Sequence, residues 1–140
     1  MMFVIISKMS KCLFCEIESI IKKLRTLNDS NNLCCYFDDL VKIIEYANTK
    51  INLSIDKFSK CKSDCIFVIE NYRRNINNIL CQIMPLENNN KNLNNKDRDL
   101  FIDITKIQIN DAIVRITEET ESLKQICRGL NQNHTYCVKY

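Results

Sequence analysis

The chain has 140 residues, 46% of them apolar, with 20 basic and 17 acidic side chains and a net charge of +3. That is the length of one domain able to bury a core, and the composition excludes a disordered chain. The near balance of charge excludes strong long-range attraction to nucleic acid or anionic lipid. One glycine, Gly129, and one proline, Pro85, are too few for sandwiches, barrels or doubly wound folds, which use such turn residues repeatedly. The expectation is an all-α antiparallel bundle of about four helices in a single domain over 1–140.

The start, Met1 to Ile6, is apolar but shorter than a secretory apolar region and has no basic residue before it, so it reads as a lead-in. No run approaches the ~18 apolar residues of a membrane span. Leu13, Ile17, Ile20, Leu24 and Leu27 alternate four-three spacing, which predicts a first helix over about 11–28 with Ser10 as N-cap. The short polar side chains from Asn28 to Asn32 compete with helical hydrogen bonds and should end it. The spacing resumes at Leu33, Phe37, Leu40, Ile44 and Ala47, a second helix over about 33–48. Asp38 and Asp39 suit its positive end.

Between Asn48 and Asn52 the stripe falters with no Gly or Pro present. The choice there is a tight turn or one helix running on with a stutter. The next seam is Ile51, Ile55, Phe58, Lys62, Cys65, Ile69, Tyr72, Ile76, Ile79 and Ile83. Its strict spacing predicts one long coiled-coil-like helix over about 51–84, ended by Pro85. Positions 87–96 are Asn/Lys-rich and predict a polar connecting loop. A second long helix follows over about 98–128, seamed by Ile102, Lys106, Ile109, Ile113, Ile116, Thr120, Leu123 and Cys127, with Gly129 as its stop.

Two long helices and two short ones imply that the short pair covers only one end. The other end is then a bare two-helix arm with apolar flanks at Phe67, Val68, Leu80, Met84, Phe101, Ile107 and Val114. Exposed apolar area of that kind marks a protein-binding surface, here for self-association or for a partner helix packed knobs-into-holes.

Nine cysteines leave at least one thiol over from any intramolecular pairing. The expected topology brings Cys12 or Cys15 toward Cys127 or Cys137, and Cys34 or Cys35 toward Cys61 or Cys65. Buried thiols are preferred to disulfides, and a metal comes last: Cys12-Leu-Phe-Cys15 lacks both the βαβ setting of a redox motif and the second pair of a zinc site. The absence of a leader favours an intracellular protein, with secretion as the alternative.

No phosphate loop can be built with one glycine. The lone His134 lies in a polar tail without a carboxylate partner, so no enzyme, cofactor or small-molecule substrate is expected. Lys22, Lys23, Arg25, Arg73 and Arg74 read as solvated faces more than as a phosphate-contacting patch. The reading is a non-enzymatic protein–protein interaction module, an adaptor or assembly subunit. A secreted, disulfide-linked, cytokine-like four-helix module is the rival, and a weak nucleic-acid binder comes third.

Overall fold

A computed structural model describes residues 12–31, 33–85 and 95–130 of the chain, with the side chains of 95 and 128–130 outside the description. The N-terminal lead-in, Ser10, most of the 87–96 loop, His134 and Cys137 lie outside the described residues. The rest is helical throughout: α1 (Leu13–Asp29), α2 (Tyr36–Cys61), α3 (Ile66–Ile83) and α4 (Asn95–Leu130), with single 3-10 turns at Leu33–Cys35 and Ser63–Cys65. Consecutive helices pack on one another and α4 packs back on α1, closing an antiparallel four-helix bundle.

The first helix follows its stripe. Leu13, Ile17, Ile20, Leu24 and Leu27 are all buried, and the chain leaves the helix at Ser30, whose N–H bonds the Leu27 carbonyl. Its cap is Cys12, whose sulfur accepts from the Cys15 N–H at 3.2 Å.

The main correction concerns the middle of the chain. The helix does not stop at 48–52: α2 runs on for 26 residues, and the expected single helix over 51–84 is folded in two at Lys62. Ile51 and Ile55 are fully buried in the same stripe as Ile44 and Ala47, so burial outweighs the weak helix propensity of Asn48, Thr49 and Asn52. Asn52 remains helical, with its amide donating to the Asn48 carbonyl and to Asn77 of α3. At the corner Lys62 takes φ −125° and ψ 52°. Its N–H bonds the Phe58 carbonyl, and its carbonyl accepts from Cys65 at 2.9 Å. Ser63 and Asp64, which favour turns over helix interiors, make the reversal. The seam spacing passes through the corner unbroken, because Lys62 and Cys65 are both buried where the two helices meet.

A longer α2 removes the bare arm, since it lies against α3 as well as α1. Arg73 of α3 reaches Asn52 and Asp56 across that contact. The third helix ends at Ile83 before Pro85 as its sequence requires. The fourth is 36 residues long, about 54 Å at 1.5 Å per residue, and passes through Gly129 without stopping. Its buried side is Ile102, Ile109, Ala112, Ile113, Ile116, Thr120, Leu123 and Cys127.

Two polar contacts set the register of α4. Near its middle, Asn28 of α1 donates to the Lys106 carbonyl at 3.0 Å and to Asn110 at 3.2 Å, while Tyr36 of α2 donates to Asn28 at 2.9 Å. Toward its C-terminus the Tyr72 and Thr120 hydroxyls bond at 2.8 Å inside the core. Burial pushes the Tyr72 hydroxyl well above its ordinary range, although the bond to Thr120 pulls it back.

Candidate interaction surface and cysteine clusters

The N-terminal half of α4 is apolar on two opposite sides. At ~100° per residue, Leu100, Ile104, Ile107 and Val114 fall within an arc of about 80°, diametrically opposite the buried Ile102, Ile109, Ile113 and Ile116. All four are exposed, Ile107 at 70%, and Phe101 is exposed on the flank between the two faces. This ridge continues into a cleft of about 390 Å³ between α3 and α4, lined by Ile83, Ile107, Gln108, Asp111 and Arg115 among others. The rim carries charges of both signs: Asp97, Asp99, Asp103 and Asp111 are exposed, and so are Lys96 and Arg115, while Lys106 is half-buried with its ammonium over the Tyr36 ring.

The structure divides the expected surface. Phe101, Ile107 and Val114 lie on this part of α4 and are exposed. Phe67 is 87% exposed but stands at the start of α3, more than two turns along from the cleft residues Ile79 and Ile83. Leu80 is not on the surface at all: it is fully buried, because α2 covers the face that a bare arm would have shown. Val68 and Met84 pack half-buried against the core. Sequence reasoning missed Leu100 and Ile104, although their four-three spacing with Ile107 was readable.

Seven of the eight described cysteines gather at two poles, and Cys81 is exposed near the end of α3. Cys12 and Cys15 open α1, Cys61 and Cys65 flank the α2/α3 corner, and Cys127 closes α4. These termini meet: the Phe14 and Phe58 rings pack edge-on at 5.5 Å, and the Lys124 ammonium lies 5.1 Å from the Phe14 ring. Cys12 and Cys127 therefore lie at the same end of the bundle. Cys34 and Cys35 do not approach Cys61 or Cys65, because they sit at opposite ends of α2, about 39 Å apart by helix rise. That pairing depended on a break at 48–52.

Within the first pole the Cys12 and Cys15 sulfurs are 2.7 Å apart. Cys65 and Cys127 are both buried. Burial pushes the Cys127 thiol up to about 11, helped by the charge of Cys65 and the bond to it and opposed by Lys62. At the second pole the Cys34 and Cys35 sulfurs lie 3.5 Å apart. The bond to Cys34 and its charge hold the exposed Cys35 thiol above its ordinary range. Among the described residues no group of three or more His, Cys, Asp or Glu side chains could hold a metal ion, and no helix is long and apolar enough to cross a membrane.

The basic side chains are also divided. Lys22, Lys23 and Lys42 line a shallow groove between α1 and α2 that also contains Asp39. Arg25 borders a different cleft, facing α4. Arg73 is held by Asn52, Asp56 and Glu70, so it joins no phosphate-contacting patch. Comparison of the chain with protein-family models, curated proteins and solved structures finds no match in any of the three.

Proposed function

We propose that the chain is a non-enzymatic protein–protein interaction module, an adaptor or assembly subunit, whose α4 ridge takes an amphipathic helix from a partner protein. The observation that carries this reading is the two-faced α4: one side completes the bundle core, and the opposite side presents Leu100, Ile104, Ile107 and Val114 to solvent. A ridge at four-three spacing suits knobs-into-holes packing of a second helix. Around it stand the carboxylates of Asp97, Asp99, Asp103 and Asp111 together with the exposed Lys96 and Arg115, so charges of both signs are available to pair with a partner's flanking residues.

The path up, down, up, down with short connections at its first two corners also weighs against the cytokine-like alternative, since such bundles run up-up-down-down with two long crossovers. The test is an amide-resolved NMR titration with an amphipathic Leu-rich helical peptide, against a scrambled peptide of the same composition. The amphipathic peptide should shift resonances between 100 and 114, and Ile104→Lys with Ile107→Lys should abolish the effect. Equal response to both peptides, or sedimentation of the protein alone as a dimer that Ile107→Lys dissociates, would refute the heterologous-partner reading.

A further inference from the structure

We propose that Cys12 and Cys15 are a reversibly oxidised dithiol, which a small-molecule disulfide of the oxidised-glutathione class closes into a bond across the first turn of α1. The two sulfurs are 2.7 Å apart, so joining them requires an approach of only about 0.7 Å. The fold holds them there. Cys12 is the N-cap of α1, and its sulfur accepts the Cys15 N–H at 3.2 Å, which satisfies one of the donors left over at a helix start. Phe14, between the two cysteines, packs edge-on against Phe58 of α2, and the Lys124 ammonium of α4 lies 5.1 Å from its ring. The turn that carries both thiols is therefore anchored to two other helices. Reagents can still reach it, because Cys15 is exposed and Cys12 is only half-buried. Spacing alone left a zinc half-site open as well, but among the described residues no set of three metal-binding side chains forms around the pair.

Exposure assigns the order of attack. Cys15 gives up its proton to solvent, and its thiolate attacks one glutathione sulfur. This forms a mixed disulfide and expels a glutathione thiolate, which takes a proton. Cys12 then loses its proton and attacks the adjacent Cys15 sulfur, closing the Cys12–Cys15 bond and expelling the second glutathione. Two protein thiols are oxidised, and one glutathione disulfide is reduced to two thiols. Excess reduced glutathione runs the same steps backwards: it attacks the exposed Cys15 sulfur, and the thiolate expelled on Cys12 meets the Cys15 N–H. Lys124, at the same pole, lies about 26 Å along α4 from Ile107, so the bond leaves the ridge free, and the inference stands or falls apart from the docking reading.

The experiment is incubation of the folded full chain with oxidised glutathione, followed by acid quench, alkylation and tryptic mapping without reduction. Both thiols fall in one tryptic peptide, 12–22. It should lose both alkylation sites and emerge two hydrogens lighter than the dithiol form, and reductant should restore the sites. Cys12→Ser should stop at glutathione on Cys15, whereas Cys15→Ser should take up glutathione at Cys12 several-fold more slowly. The folded chain should close the bond several-fold faster than the chain unfolded in urea, where nothing holds the sulfurs together. Two alkyl groups, or a glutathione on each cysteine, in peptide 12–22 from protein whose exposed Cys34, Cys61 and Cys81 have reacted would overturn the dithiol. Equal rates in the folded and unfolded chain would overturn the part given to the fold, and an unchanged rate in Cys15→Ser would overturn the order of attack.

Discussion

Lys62 and Lys106 occupy equivalent places in two seams, Phe58-Lys62-Cys65 and Ile102-Lys106-Ile109, and the chain treats them in opposite ways. At Lys62 it turns back on itself and buries the ammonium; at Lys106 the helix runs straight on and the ammonium rests 5.9 Å from the centre of the Tyr36 ring. The lysines do not differ, so the neighbours must decide. Ser63 and Asp64 follow the first, short polar residues that compete for backbone hydrogen bonds; Ile107 and Gln108 follow the second and continue a helix. Seam spacing reports which side is buried, whereas the residues off the seam report where the rod bends.

The contrast can be broken most severely in α2. Ile51 lies just where a turn was expected, and its complete burial means that Ile51→Ala should cost about 2–5 kcal/mol in chemical denaturation. Ile107→Ala on the exposed ridge should change stability by less than about 0.5 kcal/mol. Comparable losses at the two sites would mean that the ridge is covered or that Ile51 is not.

Next in size is the corner itself. Replacing Lys62 by Leu and both Ser63 and Asp64 by Ala gives this segment the character of the α4 seam. With the turn residues gone and helix propensity raised, α2 and α3 should tend to join into one rod whose halves pack on a second molecule. Size-exclusion chromatography should show a large dimer fraction in the triple variant. A monomer indistinguishable from the parent would show that these three residues do not set the corner.

Much of the architecture was legible. The stripes from Leu13 to Leu27 and from Ile109 to Cys127 identify buried faces correctly, and Pro85 and the polar 28–32 segment mark real helix ends. The Lys62 reversal was not legible, because it conserves the spacing on both sides and uses neither Gly nor Pro. Tyr36 was missed because Phe37 fitted the stripe better, yet Tyr36 is the buried ring and satisfies its hydroxyl on Asn28. The ridge was half seen, in Phe101, Ile107 and Val114, under the wrong premise of a two-helix arm.

A smaller effect sharpens the comparison at the far end of α4. The folded-state pKa of Cys127 is raised from 9.0 to about 11. The stability gained by keeping the thiol protonated is complete below pH 9 and is lost as pH rises through 11. Burial raises Tyr36 and Tyr72 in the same direction, so they add a loss that begins higher. Denaturant midpoints measured near pH 8 and near pH 10 should fall with pH in the parent and fall less in Cys127→Ala. An equal fall in both would place the alkaline sensitivity elsewhere.

The fold-back at Lys62 underlies both the covered face of α3 and the cysteine pole, and a distance tests it. Labels attached through ketone side chains at Leu53 and Asn78, both exposed, avoid the native thiols. Asn52 and Asn77 hydrogen bond at 3.3 Å, so pulsed dipolar spectroscopy should give a narrow distribution near ~20 Å, two packed helices plus the label tethers. A straight helix would put the labels about 38 Å apart, and a population centred there would contradict the account.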